Sequence, residues 1–264
     1  MRILIVALLA VLSVMQSACT TTTEVNGKPV ANLDPTPGEG DPKRRVAIRL
    51  QLASNYYEQR SFSTALEELA RVLQIEPDNA AAHGLRGLIY LDLGDRVQAD
   101  AGFSRAIKLD PENPDLNNNY GWFLCRTGRE REAIAFFEKA GNTRLYQTPG
   151  LAFRNAGMCL LQVRELAAAE RHLKRAFELD ASDPVTKFHL TRVYIATRQI
   201  ERARFYHGLL EKALGESAET IWLSMRIARA DGDVRAERQF ADELRRRYPN
   251  SAETAALKRG AVDE

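Results

Sequence analysis

Cysteine and histidine are rare in this sequence, and its net charge is small. Its 264 residues include 3 cysteines and 4 histidines, and 37 Lys and Arg nearly cancel 35 Asp and Glu, which leaves a formal charge of +2. So small a charge gives no field that would gather nucleic acid or an acidic substrate. The histidines lie in separate parts of the chain without HExxH or other metal-ligand spacing; they are His83, His172, His189 and His207. We therefore expect neither a nucleic-acid partner nor a metal site.

Signatures of catalysis and of cofactor binding are missing as well. No glycine-rich phosphate loop precedes a helical pattern and no GxSxG motif occurs, and Cys125 and Cys159 lack a companion histidine at a meaningful position. We expect a protein that is not an enzyme and that takes no cofactor and no small-molecule substrate. An enzyme with a different kind of active site is the competing hypothesis, which a broad hydrolase screen would test.

Proline and glycine become sparse after residue 45, where Ala, Leu, Arg and Glu dominate. This composition is typical of helical chains, and a hydrophobic content of 45% is enough for a substantial core. We predict an all-α protein.

Residues 1–18 have the pattern of a secretory signal peptide. Arg2 supplies a short basic region, and an apolar run interrupted only by Ser13 follows over residues 3–15. A membrane-spanning helix needs about 20 apolar residues, and this run is shorter. We therefore predict export rather than a transmembrane anchor.

The apolar run ends in Gln16-Ser17-Ala18-Cys19, which resembles the bacterial lipobox. In that motif the cysteine is acylated on its thiol and, after cleavage, on its amine, so Cys19 is the predicted lipidation site and its acyl chains would anchor the chain stably. Gln16 departs from the motif, which usually has Leu there. The alternative is an ordinary signal cleaved after Ala18, which would give a soluble periplasmic protein. By resemblance to sorted lipoproteins, Thr20 implies the outer membrane, with the chain facing the periplasm.

Residues 19–45 are predicted to be a lipidated, flexible tether. They are rich in Thr, Pro, Gly and charge and have no apolar periodicity. A coil that runs from residue 20 to residue 45 has an end-to-end distance of roughly 28 Å, which would hold a folded domain away from a membrane. We expect a spacer without a binding partner of its own.

From residue 46 onward the sequence matches itself at a period of about 34 residues. The repeats start near residues 46, 80, 114, 150, 184 and 217, and the sixth is degenerate, as is expected of a terminal repeat. Their pattern is that of tetratricopeptide repeats, in which small residues let paired helices approach closely and prolines follow the second helix. These residues are Gly87, Ala99, Gly121, Ala133, Gly157, Ala169, Pro77 and Pro111. Residues 251–264 are predicted to be a C-terminal tail or a capping helix.

No single repeat could bury its apolar face alone, so the repeats must stack. We predict a right-handed superhelical solenoid of about six tetratricopeptide repeats over residues 46–250, with function in its concave groove. The link at residues 146–150 is longer than the others. It predicts either a kink in the solenoid or a simple loop insertion.

Three stretches of the aligned repeats resemble one particular group of repeat proteins. They are NNNYGWFLC at residues 117–125, NAGMC at residues 155–159 and SAETIWL at residues 217–223. Together they are similar to the type IV pilus biogenesis and stability lipoproteins of the PilW/PilF type, over essentially the whole mature chain. The resemblance implies a pilotin, which accompanies the secretin subunit to the outer membrane and promotes its multimerisation. An outer-membrane adaptor that recruits peptidoglycan enzymes or outer-membrane assembly machinery is the alternative function.

Candidate groove residues occupy first-helix positions that face the concave side in peptide-binding tetratricopeptide proteins. Asn119 and Asn155 share one such position, and an amide can both donate to and accept from a peptide backbone. The full candidate set is Leu50, Tyr57, Asn118, Asn119, Trp122, Arg126, Arg154, Asn155 and Met158. Any one of them could instead only pack neighbouring repeats. The two arginines could clamp a carboxylate, although Glu58 and Asp115 lie at comparable positions.

Cys125 and Cys159 are the only two thiols left once Cys19 is acylated. They form an even pair in an oxidising compartment and lie one repeat length apart, at nearly equivalent places on neighbouring first helices. We predict a disulfide between them. The alternative is two buried free cysteines that act as small apolar residues.

Overall fold

The structure is a computed structural model that describes residues 24–25, 28–29 and 41–261. The predicted signal peptide, Cys19 and most of the predicted tether lie outside the described residues. The chain divides into two units, residues 1–44 and residues 45–264. Within the first, β1 (Glu24–Val25) pairs antiparallel with β2 (Lys28–Pro29), so that Val25 lies opposite Lys28.

All other regular structure in the described residues is helical. The thirteen α-helices are α1 (Pro42–Glu58), α2 (Phe62–Ile75), α3 (Ala80–Asp92), α4 (Arg96–Leu109), α5 (Pro114–Arg126), α6 (Glu130–Asn142), α7 (Pro149–Gln162), α8 (Leu166–Leu179), α9 (Pro184–Ala196), α10 (Ile200–Leu214), α11 (Ala218–Asp231), α12 (Val234–Arg247) and α13 (Ala252–Arg259). Helices α1 to α12 form six consecutive hairpins, and α13 packs against the last of them.

Side-chain caps set where several first helices begin. Asn79, Asn113 and Asp183 precede α3, α5 and α9, and each side chain accepts a hydrogen bond from a backbone N–H in the first turn. Second helices end just before prolines, since α2 ends at Ile75 and α4 at Leu109. Proline cannot donate a backbone hydrogen bond and disfavours helical geometry in the residue before it.

The turns within the hairpins need one residue in left-handed backbone geometry. In the second, third and sixth hairpins this residue is a glycine, for example Gly94 with φ of 81°. In the first, fourth and fifth it is an arginine: Arg60, Arg164 and Arg198 have φ between 54° and 59°. A side chain in this region costs roughly 1–2 kcal/mol relative to ordinary helical geometry.

The hydrophobic core is a series of clusters along the stack rather than one central mass. Small residues allow large ones from the partner helix to fill each hairpin. A Cβ on Gly121 would lie 2.9 Å from the Phe137 ring, and one on Gly157 would lie 2.5 Å from Leu173 Cγ. Phe137 and Leu173 are completely buried. In the second, third and fourth hairpins a glycine of the first helix therefore faces a large apolar side chain of the second helix, which is Phe103, Phe137 or Leu173.

The long link before α7 is packed into this core. Tyr146 is buried and contacts Ala140 at the end of α6 and Ala152 in the first turn of α7. Within the part of the chain that the structure describes, no helix combines the length and apolarity that a membrane crossing requires. The prediction of an all-α solenoid built from stacked helical hairpins is confirmed.

Candidate protein-binding groove

Six of the nine predicted groove residues surround one shallow cavity on the first helices of the third, fourth and fifth repeats. Its volume is about 280 Å³. The six are Asn118, Asn119, Trp122, Arg154, Asn155 and Met158. Leu151 and Val185, which we did not predict, complete the lining. Both lie in the first turn of the first helix of a repeat. They could have been predicted by including the apolar residues at the start of each repeat among the groove candidates.

Two asparagines of this cavity are bonded to each other. Asn155 Nδ2 donates to Asn118 Oδ1 over 3.0 Å, and both side chains are buried. This bond joins α5 to α7 across the repeat boundary. Asn119 is half-buried and lies in the cavity lining. Asn119 and Asn155 share a repeat position, but Asn119 presents more of its amide to a ligand and Asn155 contributes to the contact between repeats.

Arg154 is held at the edge of the cavity by an ion pair. Its Nη1 lies 3.2 Å from Asp183 Oδ2, and the same carboxylate caps α9 by accepting from the backbone of Val185 and Thr186. Burial opposes ionisation of Asp183, but the Thr186 hydroxyl and Arg154 together hold its pKa below the usual value. The guanidinium of Arg154 is therefore already paired with a carboxylate of this chain.

The other three predicted groove residues lie elsewhere on the first helices. Tyr57 Oη donates to Asp92 Oδ2 over 3.0 Å, and Arg126 Nη1 lies 3.9 Å from Asp92 Oδ1. Burial and the Asp92 carboxylate raise the pKa of Tyr57 to about 12. Leu50 packs against the core cluster of the first repeat. The structure thus separates Arg126 from Arg154 and pairs each with an aspartate, which disfavours a carboxylate clamp built from these two arginines.

A disulfide fixes the same two helices that the asparagine pair joins. Cys125 and Cys159 are bonded, with their Cα atoms 5.8 Å apart, at the C-terminal part of α5 and of α7. Both residues are buried in the central core cluster. The two helices that carry most of the cavity lining are therefore joined by one covalent bond and one buried hydrogen bond, which limits their relative movement and preorganises the lining.

One arrangement in the fifth and sixth repeats has the composition of a catalytic triad. Ser224 Oγ lies 3.1 Å from His207 Nε2, and Glu211 Oε2 lies 3.6 Å from His207 Nδ1. However, His207 Nε2 also faces the backbone carbonyl of Thr220 at 2.8 Å. Only a protonated Nε2 can donate to a carbonyl, so this nitrogen is not placed to take a proton from Ser224. The group instead ties α10 to α11. Within the described residues, no three His, Cys, Asp or Glu side chains are grouped to hold a metal ion.

Comparisons with known proteins agree with this architecture. Tetratricopeptide repeat models match residues 50–101 and residues 103–135. The type IV pilus assembly protein PilF of Pseudomonas aeruginosa is 26% identical over 204 residues, which cover 77% of this chain and 81% of that protein.

Two solved structures match most of the chain. The crystal structure of PilW, described as a widely conserved type IV pilus biogenesis factor, has a TM-score of 0.74 at 29% identity, covering 80% of this chain and 97% of PilW. The structure of Pseudomonas aeruginosa PilF has a TM-score of 0.73 at 25% identity, covering 83% of this chain and 99% of PilF. The predicted resemblance and the predicted tetratricopeptide solenoid are both confirmed. The chain is thus a tetratricopeptide repeat protein that is homologous to PilF and shares its fold with the type IV pilus biogenesis proteins PilW and PilF.

Proposed function

We propose that this protein is an outer-membrane lipoprotein pilotin. In this role it binds the secretin subunit of the type IV pilus and promotes the subunit's outer-membrane localisation and multimerisation. The observation that carries the proposal is the match to PilW and PilF, which extends over at least 97% of both solved chains. A match of that extent includes all the stacked repeats that make the groove rather than one generic hairpin.

The cavity on α5, α7 and α9 is the proposed secretin-binding site. It offers an amide from Asn119, an aromatic surface from Trp122 and a thioether from Met158, all half-buried. Such side chains suit a peptide, because the amide pairs with its backbone while the ring and thioether pack on its apolar side chains. A binding role of this kind requires no catalytic group.

Acyl chains on Cys19 are the proposed membrane anchor, and residues 20–45 the proposed spacer. The motivating observation is the cysteine directly after Gln16-Ser17-Ala18. Metabolic labelling with palmitate tests the anchor, since wild-type protein should carry label and Cys19→Ser should be unlabelled and soluble in the periplasm. Unlabelled wild-type protein whose N-terminus is an unmodified Cys19 would contradict it.

Deletion of the gene tests the proposed role directly. We expect loss of surface pili together with loss of heat-stable secretin multimers, and restoration of both by the wild-type gene. Normal multimers in a strain without the protein would refute the pilotin role.

Complementation with groove variants tests the proposed site. Asn119→Ala combined with Trp122→Ala should reduce secretin multimers while helical content and melting temperature stay close to wild type. Arg171→Ala combined with Arg175→Ala, on the exposed surface of α8, is the matched control and should restore multimers fully.

Trp122 also packs against the central core cluster, so the folding of the double variant must be measured. If it unfolds, Asn119 and Trp122 belong to the core and the assignment of the site is wrong. Met158→Lys gives an independent test, because it places a charge in the cavity through a flexible, half-buried side chain. Full multimer formation with a folded Met158→Lys protein would also exclude this cavity.

A further inference from the structure

A second and larger cavity is lined by first helices, two of which, α7 and α9, also line the first cavity. Its volume is about 590 Å³, and it lies at the C-terminal ends of α7, α9 and α11. Five arginines line it and no Asp or Glu does; they are Arg164, Arg192, Arg198, Arg226 and Arg229. Apolar side chains from Leu161, Leu166 and Ile195 lie between them.

The repeat geometry explains why these arginines gather. Arg192 and Arg226 are one repeat apart and continue the first-helix position that Met158 occupies in the neighbouring cavity. Arg164 and Arg198 are also one repeat apart, each at the left-handed turn between the helices of its hairpin. Stacking places equivalent positions of neighbouring repeats next to each other, so the guanidinium groups of both pairs lie at the same cavity.

The chain itself matches part of this charge, and Arg226 and Arg229 both have partners within it. Arg229 pairs with Glu237 at 2.8 Å, and Arg198 Nη1 donates to the carbonyl of Ala230 at the end of α11. Within residues 41–261 Arg164 and Arg192 have no carboxylate at ion-pair distance, and Arg192 lies over the Phe188 ring, 5.8 Å from its centre.

Burial disfavours the charge of Arg192. Its guanidinium is half-buried, and burial lowers its pKa. A cation that has lost water and has like charges beside it is stabilised by an anion that enters the same space. The electrostatic field of the cavity therefore favours a negatively charged ligand.

We propose that this arginine cavity binds an acidic peptide segment of a partner protein, in which carboxylates are interspersed with apolar side chains. Guanidinium groups match carboxylates in a planar, two-bonded geometry. Leu161, Leu166 and Ile195 would cover apolar side chains of the segment, a contact that inorganic phosphate could not use. Met158, which lines the asparagine-lined cavity, and Leu161, which lines this one, lie one turn apart on α7, so the two cavities are neighbours on that helix. The proposal does not depend on the pilotin role.

Titration calorimetry with a defined probe tests it. The probe is an acetylated, amidated peptide of sequence Glu-Leu-Glu-Glu-Leu-Glu, and the reference peptide has Gln for every Glu. The full-length chain in detergent should bind the acidic peptide, lose affinity as NaCl rises, and not bind the Gln peptide. Arg164→Gln combined with Arg192→Gln should raise Kd by about tenfold or more, because two charge-assisted contacts are lost.

Arg171→Gln combined with Arg175→Gln is the matched control, since it removes two arginines from α8 outside the cavity and should leave Kd unchanged. If the cavity double variant does not fold, Arg164→Gln, at an exposed turn, replaces it with the same expectation of weaker binding. Equal affinity in the cavity and control variants, or for the Gln peptide, would overturn the proposal.

Two further measurements identify the anion. Inorganic phosphate should weaken peptide binding no more than NaCl does at the same ionic strength. A much stronger effect of phosphate would mean that the cavity is a small-anion site. Vesicles that contain phosphatidylglycerol should bind equally to wild type and to the cavity double variant. Vesicle binding that requires Arg164 and Arg192 would assign the cavity to lipid headgroups instead.

Discussion

Gly102→Ala tests a close approach of two helix backbones in the solenoid. Gly102 lies on α4, where a Cβ would be 2.9 Å from the backbone nitrogen of Gly87 and 3.0 Å from the carbonyl oxygen of His83. Backbone atoms cannot rotate away as a side chain can, so α3 and α4 would have to separate. Overpacking of this kind costs about 1–3 kcal/mol.

Gly208→Ala is the matched control. Gly208 lies within α10, and a Cβ there would have no neighbouring heavy atom within 4 Å. Replacing a helical glycine by alanine gains about 0.5–1 kcal/mol because alanine loses less conformational entropy on folding, and both variants receive this gain. We therefore expect Gly208→Ala to be more stable than wild type, and Gly102→Ala to lie about 1–3 kcal/mol below the control because of its overpacking.

Urea denaturation followed by far-UV circular dichroism measures the difference. The three proteins are compared under identical conditions, and a shift of the midpoint at unchanged slope reports a change in stability. Equal stabilisation by both substitutions would show that α3 and α4 are not in backbone contact at Gly102. A changed slope would indicate that the stacked repeats no longer unfold together.

Three further predictions follow from the same structure. Cys125→Ala combined with Cys159→Ala should lower the free energy of unfolding by roughly 3–4 kcal/mol, because the disulfide constrains the unfolded chain. In mass spectrometry of unreduced, denatured wild-type protein, neither cysteine should react with an alkylating reagent. Burial lowers the pKa of His189 to about 4. As the pH falls, the unfolded chain therefore binds a proton at this residue before the folded chain does, so the free energy of unfolding should decrease between about pH 6.5 and pH 4. His189→Gln should flatten that part of the pH profile of stability. Arg60→Asn should raise stability by about 0.5–1.5 kcal/mol, because it relieves about 1–2 kcal/mol of left-handed strain and loses only a contact of about 0.5 kcal/mol with the Phe62 ring. A lower melting temperature would contradict it.

Much of the fold could be predicted because each repeat carries its own local signals. Small residues such as Gly121 and Gly157, and prolines such as Pro77, act through contacts within one hairpin, so the sequence period is enough to place them. The arginines at the left-handed turns were not anticipated. Arg60, for instance, occupies a place where the pattern favours glycine, and its strain is tolerated because the surrounding hairpin fixes the turn.

The candidate site was predictable only in part, for a related reason. The repeat position that faces the groove could be identified for Asn119, Trp122 and Met158. It could not show that Asn155, at the same position as Asn119, bonds to Asn118, because that contact depends on how two neighbouring repeats pack. Nor could it show that Arg154 is paired with Asp183, which belongs to the next repeat.

The helical hairpins and their number could be predicted from the chain alone, since they depend on a periodic pattern of small, large and helix-ending residues. The likeness to pilus biogenesis proteins was visible in three particular stretches, at residues 117–125, 155–159 and 217–223. The sequence also has a formal charge of only +2, from which we expected no local field for an acidic ligand. The tertiary structure decided otherwise at the cavity that Arg192 and Arg226 line. Net charge is a sum over the whole chain, whereas the field in a cavity depends on which side chains stacking brings together. Here stacking places Arg192 beside Arg226 and Arg164 beside Arg198.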